Sequence, residues 1–273
     1  MTAMAEWLWF NGKVVEARQV HISPADRGLL LADGVFETMR AQAGHILWLS
    51  DHLARLRAGA ALLGIPVPFP DDSIAEGLLD LTDRAPAPLA ALRLTLTRGP
   101  GRRRGLWPPD DPVQPTLLGS IAPIAAVPMP AAARLVICRS TRRNEFSPLS
   151  RVKHLSYGDA LLARREAGDR NATDAVLLNT RGHVACSTVG NIFVRDRNGW
   201  ATPPLDDGAL PGLARARALV ALGAEQRSIE ASALRSVDAA MLTNSLGITP
   251  VSHLDDRPLG VVESPAALAK LYD

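Results

Sequence analysis

Arg151-Val152-Lys153-His154-Leu155-Ser156-Tyr157 is the stretch from which the rest of the chain is read. A lysine is ordinarily a solvated surface residue, because its ammonium is costly to bury. This one follows a proline-containing loop, Phe146-Ser147-Pro148, and precedes a helical segment from Asp159 to Glu166. Downstream, Cys186-Ser187-Thr188-Val189-Gly190-Asn191-Ile192-Phe193 runs into a strand, and Leu210-Pro211-Gly212-Leu213-Ala214-Arg215 opens a helix. A helix start offers unpaired N–H groups and a favourable dipole to an anion. An amine that is partly desolvated or close to cations loses proton affinity and becomes a nucleophile.

Composition sets the outer bounds. The 273 residues, 47% of them hydrophobic, favour two buried lobes over a single small core. A net charge of +2 gives no reason to expect a nucleic-acid partner. The run Arg102-Arg103-Arg104 is the only local basic cluster, and by itself reads as a solvated loop. Two cysteines, Cys138 and Cys186, make no disulfide framework and fit a reduced compartment. Neither lies in a metal-binding pattern, so no metal is expected. The start, Met1 to Trp7, is not built like a signal peptide. No apolar stretch approaches the ~20 residues that a membrane span needs. The expectation is a cytoplasmic protein with no membrane partner.

Local patterns give the order of elements. Asn11-Gly12 turns a hairpin between Trp7-Leu8-Trp9-Phe10 and Lys13-Val14-Val15. Ser23 to Gly28 reads as a loop, Val35 to Arg40 as a strand, and Ile46 to Leu49 as its return. Ser50 or Asp51 caps a helix carrying Leu53, Leu56, Ala60 and Leu63, which Gly64 ends. Ser73 to Leu81 is a second helix, Ala90 to Thr97 a strand, and Gly99 to Pro115 a loop. A strand from Thr116 to Ile124 is followed by prolines that mark the lobe boundary. The domains are read as 1–120, a linker at 121–130, and 131–273 as the larger lobe carrying Lys153. In that lobe, strands are expected at 134–138, 175–178, 183–185, 191–195 and 239–243, and a helix at 213–222.

In order and spacing these motifs resemble the class IV, fold-type IV pyridoxal-phosphate enzymes. That group includes branched-chain and D-amino-acid transaminases and aminodeoxychorismate lyase. The resemblance runs from about residue 7 to residue 252. It implies an α/β (α+β) fold of two domains with pyridoxal 5'-phosphate between the lobes. It also implies a small-molecule amine or amino acid substrate and a homodimer. By resemblance, Lys153 forms the Schiff base with the cofactor and moves protons at the substrate carbon. Arg55, in His52-Leu53-Ala54-Arg55-Leu56, matches an arginine that grips the phosphate with its planar fork. Leu213 and Ala214 match residues whose backbone N–H groups bind the same phosphate. Asn244 and Ser245, in Thr243-Asn244-Ser245-Leu246, match a third phosphate-binding element.

One position departs from the pattern. The family places a glutamate five residues before the Asn-hydrophobic-aromatic triplet, where this chain has Cys186. That glutamate keeps the pyridine nitrogen protonated. A neutral thiol cannot, and burial among apolar groups keeps a thiol neutral. Cys186 also reads simply as a small buried hydrophobe. Either way the electron sink is weaker, which tilts the reading toward elimination. Thr38, in Asp33-Gly34-Val35-Phe36-Glu37-Thr38, matches a threonine of aminodeoxychorismate lyases. Lys153-His154-Leu155 matches their form of the lysine motif. Arg98 and Arg104 lie in a segment resembling the substrate-side loop, where they suit a dicarboxylate. The implied activity is an aminodeoxychorismate lyase that releases pyruvate and 4-aminobenzoate. The alternatives are a class IV transaminase of D-amino acids, branched-chain amino acids or (R)-amines, and a cofactor-binding protein with lost activity.

Overall fold

Asn11 and Gly12 both take positive φ, 45° and 89°, as a two-residue hairpin turn requires. The turn joins β1 (Trp7–Phe10) to β2 (Lys13–Glu16). The computed structural model describes residues 6–85, 87–101, 105–107, 114–124, 131–260, 268 and 270–272. The chain divides into two units: Met1–Ala126 with Lys153–Ser156, and Val127–Val152 with Tyr157–Asp273.

In the first unit, α1 (Arg27–Leu31) precedes β3 (Gly34–Gln42) and β4 (His45–Ile46). Then follow α2 (Leu49–Leu63), α3 (Asp71–Arg84), β5 (Leu89–Thr97) and β6 (Thr116–Pro123). The strands form an antiparallel sheet in the order β2-β1-β6-β5-β3-β4. Trp9, Met39, Leu92, Leu94, Leu96 and Leu117 are buried along it, and α3 adds Ile74, Leu78 and Leu81. Gly77 lets α3 approach closely, since a Cβ there would stand 2.0 Å from the Trp9 indole nitrogen.

Three local readings are corrected. Residues 27–31 form a helix, not part of a loop. Asp26 caps it, accepting from the Gly28 N–H at 2.7 Å, while its other oxygen accepts from Thr97 and Thr116. Five residues are too few for periodicity to reveal. The strand after the 43–44 turn is only His45–Ile46, because Trp48 goes left-handed at φ 55°. The next helix therefore begins at Leu49 with no side-chain cap. Asp51 lies inside its first turn, where it still favours the dipole.

The second unit contains β7 (Ala133–Ile137), α4 (Gly158–Asp169), β8 (Asp174–Leu178) and β9 (Val184–Ser187). Next come β10 (Asn191–Asp196), β11 (Gly199–Thr202), α5 (Leu213–Leu222) and β12 (Glu225–Gln226). The described strands end with β13 (Ala239–Asn244), β14 (Gly247–Leu254) and β15 (Arg257–Pro258). The mixed sheet runs β12-β11-β10-β13-β14-β7-β8-β9, with β15 beside β14. Ile192, Val194, Ala240, Leu242 and Val251 fill one core. Val136, Cys138, Ala163, Ala167, Ala175, Leu177, Ala185 and Cys186 fill another. Cys138 and Cys186 are free thiols.

The placement of Lys153 in the C-terminal lobe is also corrected. The Phe36 N–H donates to the Lys153 carbonyl at 2.9 Å, and the Leu155 N–H donates to the Gly34 carbonyl at 3.0 Å. Val35 and His154 form an antiparallel bridge between them. Residues 153–156 thus extend the edge of β3 and cluster with the first unit. No described helix is long and apolar enough to cross a membrane. Among the described residues, no group of three or more His, Cys, Asp or Glu side chains could hold a metal ion.

Candidate active site

The first unit builds its chemistry on β3. Side chains alternate along a strand, and directly opposed residues share a face. Phe36 and Thr38 therefore lie on one face, with Arg93, the cross-strand partner of Thr38 on β5. The Lys153 amine stands 4.3 Å from the centre of the Phe36 ring, and the Arg93 guanidinium carbon 3.7 Å from it. Thr38 is half-buried on this face.

Glu37, between Phe36 and Thr38, points the other way and is fully buried. Arg55 of α2 grips it with two donors, Nε to Oε1 at 2.8 Å and Nη2 to Oε2 at 2.6 Å. His52, one turn earlier on α2, places Nδ1 2.7 Å from Oε2. Burial pushes the Glu37 carboxyl up, but hydrogen bonds from Arg55 and His52 outweigh it and hold the group below the usual carboxylate range. Burial pushes the His52 imidazole down despite Glu37. A neutral imidazole that donates from Nδ1 leaves Nε2 as a lone pair, and that buried atom has no partner.

Lys153 is half-buried, and desolvation lowers its amine from 10.5 to about 8. Glu37 opposes that fall, while Arg55 and Arg93 add to it. About a tenth of this lysine is therefore unprotonated at pH 7, far more than for an ordinary lysine, and the neutral amine is the nucleophile.

Arg98 is engaged elsewhere in the first unit. Its Nε donates to Asp33 at 2.7 Å, Nη1 to the Gly64 carbonyl at 2.8 Å, and Nη2 to the Leu63 carbonyl at 2.6 Å. It caps the C-terminus of α2 and shares Asp33 with Arg27. Two hydrogen-bonded arginines hold the Asp33 carboxyl low against the opposing push of burial. Arg104 and the rest of the Arg102–Arg104 run lie outside the described residues, as do residues 125–130 of the expected linker.

The second unit holds the remaining residues singled out in the sequence. Cys186 on β9 lies opposite Leu177 on β8 and packs in the apolar cluster. Burial pushes its thiol up, Arg143 pulls it down and Asp174 pushes it up, with a net rise. Cys186 is therefore a neutral thiol near neutral pH.

Leu213 and Ala214 open α5 behind Gly212, and no side chain caps this helix. A Cβ on residue 212 would stand 2.1 Å from Asn191 Oδ1, while Asn191 Nδ2 donates to the Leu210 carbonyl at 2.9 Å. Thr243 on β13, the direct cross-strand partner of Asn191 on β10, is buried with a hydroxyl that has no partner among the described residues. Asn244 ends β13, where its Oδ1 accepts from the Leu246 N–H at 2.9 Å and its carbonyl accepts from Tyr272 at 2.6 Å. Ser245 follows in the turn before β14 and is half-buried.

Sequence reasoning missed Glu37 as the partner of Arg55, and it missed Arg93. A signal was present. Arg93 sits in a strand of otherwise uncharged residues.

Comparison with known proteins gives the same picture. The family model described as amino-transferase class IV matches residues 34–254. A candidate branched-chain-amino-acid aminotransferase of Methanocaldococcus jannaschii is 31% identical over 263 residues, covering 92% of this chain and 88% of that protein. The aminodeoxychorismate lyase of Bacillus subtilis is 29% identical over 276 residues, covering 97% and 93%. The crystal structure of the Escherichia coli branched-chain amino acid aminotransferase superposes with a TM-score of 0.88 at 20% identity, covering 98% and 92%, a likeness of fold.

Proposed function

This chain belongs to the class IV aminotransferase family and is a pyridoxal-phosphate enzyme, and from that premise we propose that it is an aminodeoxychorismate-lyase-like enzyme. The observation that carries the choice within the family is Cys186, a thiol that burial keeps protonated. The lyase of Bacillus subtilis, 29% identical over nearly the whole chain, supports the same reading.

The residues present fit the cofactor. Lys153 has a partly desolvated amine. The α5 start is uncapped, and a Cβ on its leading glycine would collide with Asn191. Thr243 keeps a buried hydroxyl without a partner beside Asn244. Lys153 would hold the cofactor covalently. Arg55, the Leu213 and Ala214 N–H groups, Asn244 and Ser245 would hold its phosphate. Bound pyridoxal phosphate withdraws electrons from the carbon that bears the substrate amine, which labilises the bonds there.

The chain's own groups supply the rest. Lys153 would act as the base that removes the proton from the amine-bearing carbon of the substrate. Thr38 shares the Phe36 face and assists in handling that proton. A neutral Cys186 is adequate for elimination, in which the ring carbon–oxygen bond breaks, the departing group takes the electrons as the enolate of pyruvate, and that enolate takes up the proton that Lys153 removed to become pyruvate. Loss of pyruvate makes the ring aromatic and yields 4-aminobenzoate. Arg93, stacked on Phe36, joins Arg104 as a cation suited to a substrate carboxylate. Arg98 acts from further back, by holding Asp33 and the end of α2. We infer a homodimer as the working form.

The test is to supply aminodeoxychorismate to protein loaded with pyridoxal phosphate and to measure 4-aminobenzoate and pyruvate. Equal amounts of both, well above background, are expected. If neither forms while an amino acid converts the bound cofactor to its amine form, the protein is a transaminase and the lyase reading is lost.

A further inference from the structure

Arg27 opens α1 with its side chain buried, although the next turn of that helix is exposed at Leu29 and Leu30. Its guanidinium makes four hydrogen bonds among the described residues. Nε donates to Asp33 Oδ2 at 2.8 Å, and Nη2 to the Leu106 carbonyl at 2.9 Å. Nη1 donates to the carbonyls of Gly105 at 3.1 Å and Trp107 at 3.5 Å. One side chain thus holds three consecutive carbonyls far along the chain. We propose that Arg27 is a positioning residue for substrate recognition, whose guanidinium fastens the Gly105–Trp107 stretch of the substrate-side loop to Asp33. The inference rests on the reading above that this loop meets the substrate, and goes beyond it by naming what holds the loop.

The place of the hub carries the argument. Asp33 also accepts from Arg98 Nε at 2.7 Å, so one carboxylate ties the start of the loop to the stretch that Arg27 holds. The backbone repeats the link: the Arg27 N–H donates to the Gly99 carbonyl at 2.9 Å, and the Gly101 N–H to the Ala25 carbonyl at 3.0 Å. The residue after Asp33 is Gly34, whose carbonyl accepts the Leu155 N–H at 3.0 Å, and Phe36 holds the Lys153 carbonyl. A Cβ on residue 34 would stand 2.7 Å from Leu155 Cδ1. The first residues of β3 therefore carry the lysine segment, and the residue just before them carries the loop.

The held stretch has little else to fix it. Leu106 and Trp107 are 80% and 83% exposed, so their side chains bury little. A segment with few packed contacts opens readily unless its backbone is bonded. Gly105 takes φ 116°, a conformation that side-chain-bearing residues rarely adopt. A Cβ there would meet nothing within 4 Å. The glycine is needed for the direction of the backbone and not for space. A buried cation is costly unless its donors are used. Arginine alone suits the place, because its planar fork spans a carboxylate and several carbonyls, whereas an ammonium is a compact point.

The test uses the full chain loaded with pyridoxal phosphate and labelled with 5-fluorotryptophan. The chain has five tryptophans, and Trp107→Phe identifies the Trp107 fluorine resonance by its loss. Arg27→Lys keeps a cation beside Asp33 and gives up the fork. In this variant the Trp107 resonance is expected to sharpen and move toward that of the free amino acid, with the other tryptophans unmoved. KM for the amine substrate is expected to rise about tenfold with kcat within about twofold, as when binding alone is weakened. Arg27→Gln should do the same and also lower the urea midpoint. If Arg27→Gln does not fold, Gly105→Ala disturbs the same stretch without touching the buried guanidinium, and the same loosening and rise in KM are expected.

A merely structural role would cost stability and leave KM in place. A Trp107 resonance that neither Arg27→Lys nor Gly105→Ala moves overturns the proposal. So does a loosened Trp107 with KM within about twofold of the wild type. If no 4-aminobenzoate forms, the lyase reading alone is lost, and KM is then measured for the amino donor that bleaches the cofactor band. A wild type that turns over no amine at all removes the substrate role of the loop, and the proposal falls with it.

Discussion

Phe36 and Lys153 meet twice: backbone N–H to carbonyl at 2.9 Å, and ring centre to amine at 4.3 Å. The first contact anchors the lysine to β3, and the second keeps water from one side of its ammonium. The fold thus holds Lys153 where its charge is costly. Its folded midpoint, about 8, lies below the ordinary 10.5, so the destabilisation is full below about 8 and gone above 10.5. Lys153→Met is expected to stabilise the cofactor-free protein by about 1 kcal/mol near neutral pH, after discounting for partial exposure. Urea unfolding across that window checks this. A variant less stable than the wild type at neutral pH would contradict it.

Cys186 offers a test of reaction type. Cys186→Ser keeps a neutral group opposite Leu177 and should retain lyase activity within about tenfold, a change of about 1.4 kcal/mol. Cys186→Glu brings in a carboxylate. Amino donors should then bleach the visible band of the bound cofactor at least about tenfold faster than in the wild type. Product assays and stopped-flow absorbance measure the two effects. The assignment of Cys186 fails if serine and glutamate act alike.

Gly212 leads α5 in a space that Asn191 already fills, with 2.1 Å between Asn191 Oδ1 and any added Cβ. Gly212→Ala must displace Asn191 or the first turn of the helix. Retention of pyridoxal phosphate should weaken about tenfold or more, a loss of about 1.4 kcal/mol or more. Equilibrium dialysis measures it. Unchanged retention would remove the α5 start from the cofactor site.

Arg98 joins Asp33 to the last carbonyls of α2. Arg98→Gln leaves Asp33 with one arginine and those carbonyls with weaker donors. The expected cost is about 2 kcal/mol of stability, with little change in KM. A large rise in KM without loss of stability would restore Arg98 to direct substrate binding.

Glu166 fastens α4 to the loop after β7. It accepts from the Ser140 N–H at 2.9 Å and the Arg139 N–H at 3.0 Å, and pairs with Arg170 at 3.1 Å. Burial pushes its carboxyl up, but the backbone bonds dominate and bring it from 4.5 to about 2. A depressed carboxyl stabilises the fold fully above its unfolded value and loses that contribution as pH falls toward the folded one. Glu166→Gln should cost about 2 kcal/mol near neutral pH. Its difference from the wild type should shrink between 4.5 and about 2. Urea midpoints measured down that range provide the check, and a difference independent of pH would rule it out.

The sequence by itself determined the fold class, the Asn11-Gly12 hairpin, the ends of α5 and the strands of the second sheet apart from β11, β12, β14 and β15, and it singled out Lys153. Each rests on a local cause: turn geometry, apolar periodicity, or the order of motifs along the chain. Tertiary structure decided the rest. It moved Lys153 onto the edge of β3, gave Arg55 to Glu37, turned Arg98 toward Asp33 and α2, and brought Arg93 over Phe36. It also made a helix of residues 27–31, which depends on Asp26 reaching Thr97 and Thr116. These outcomes join residues far apart in the chain. A charged side chain's partner is set by which acceptor the packed backbone brings within reach, and no local pattern encodes that.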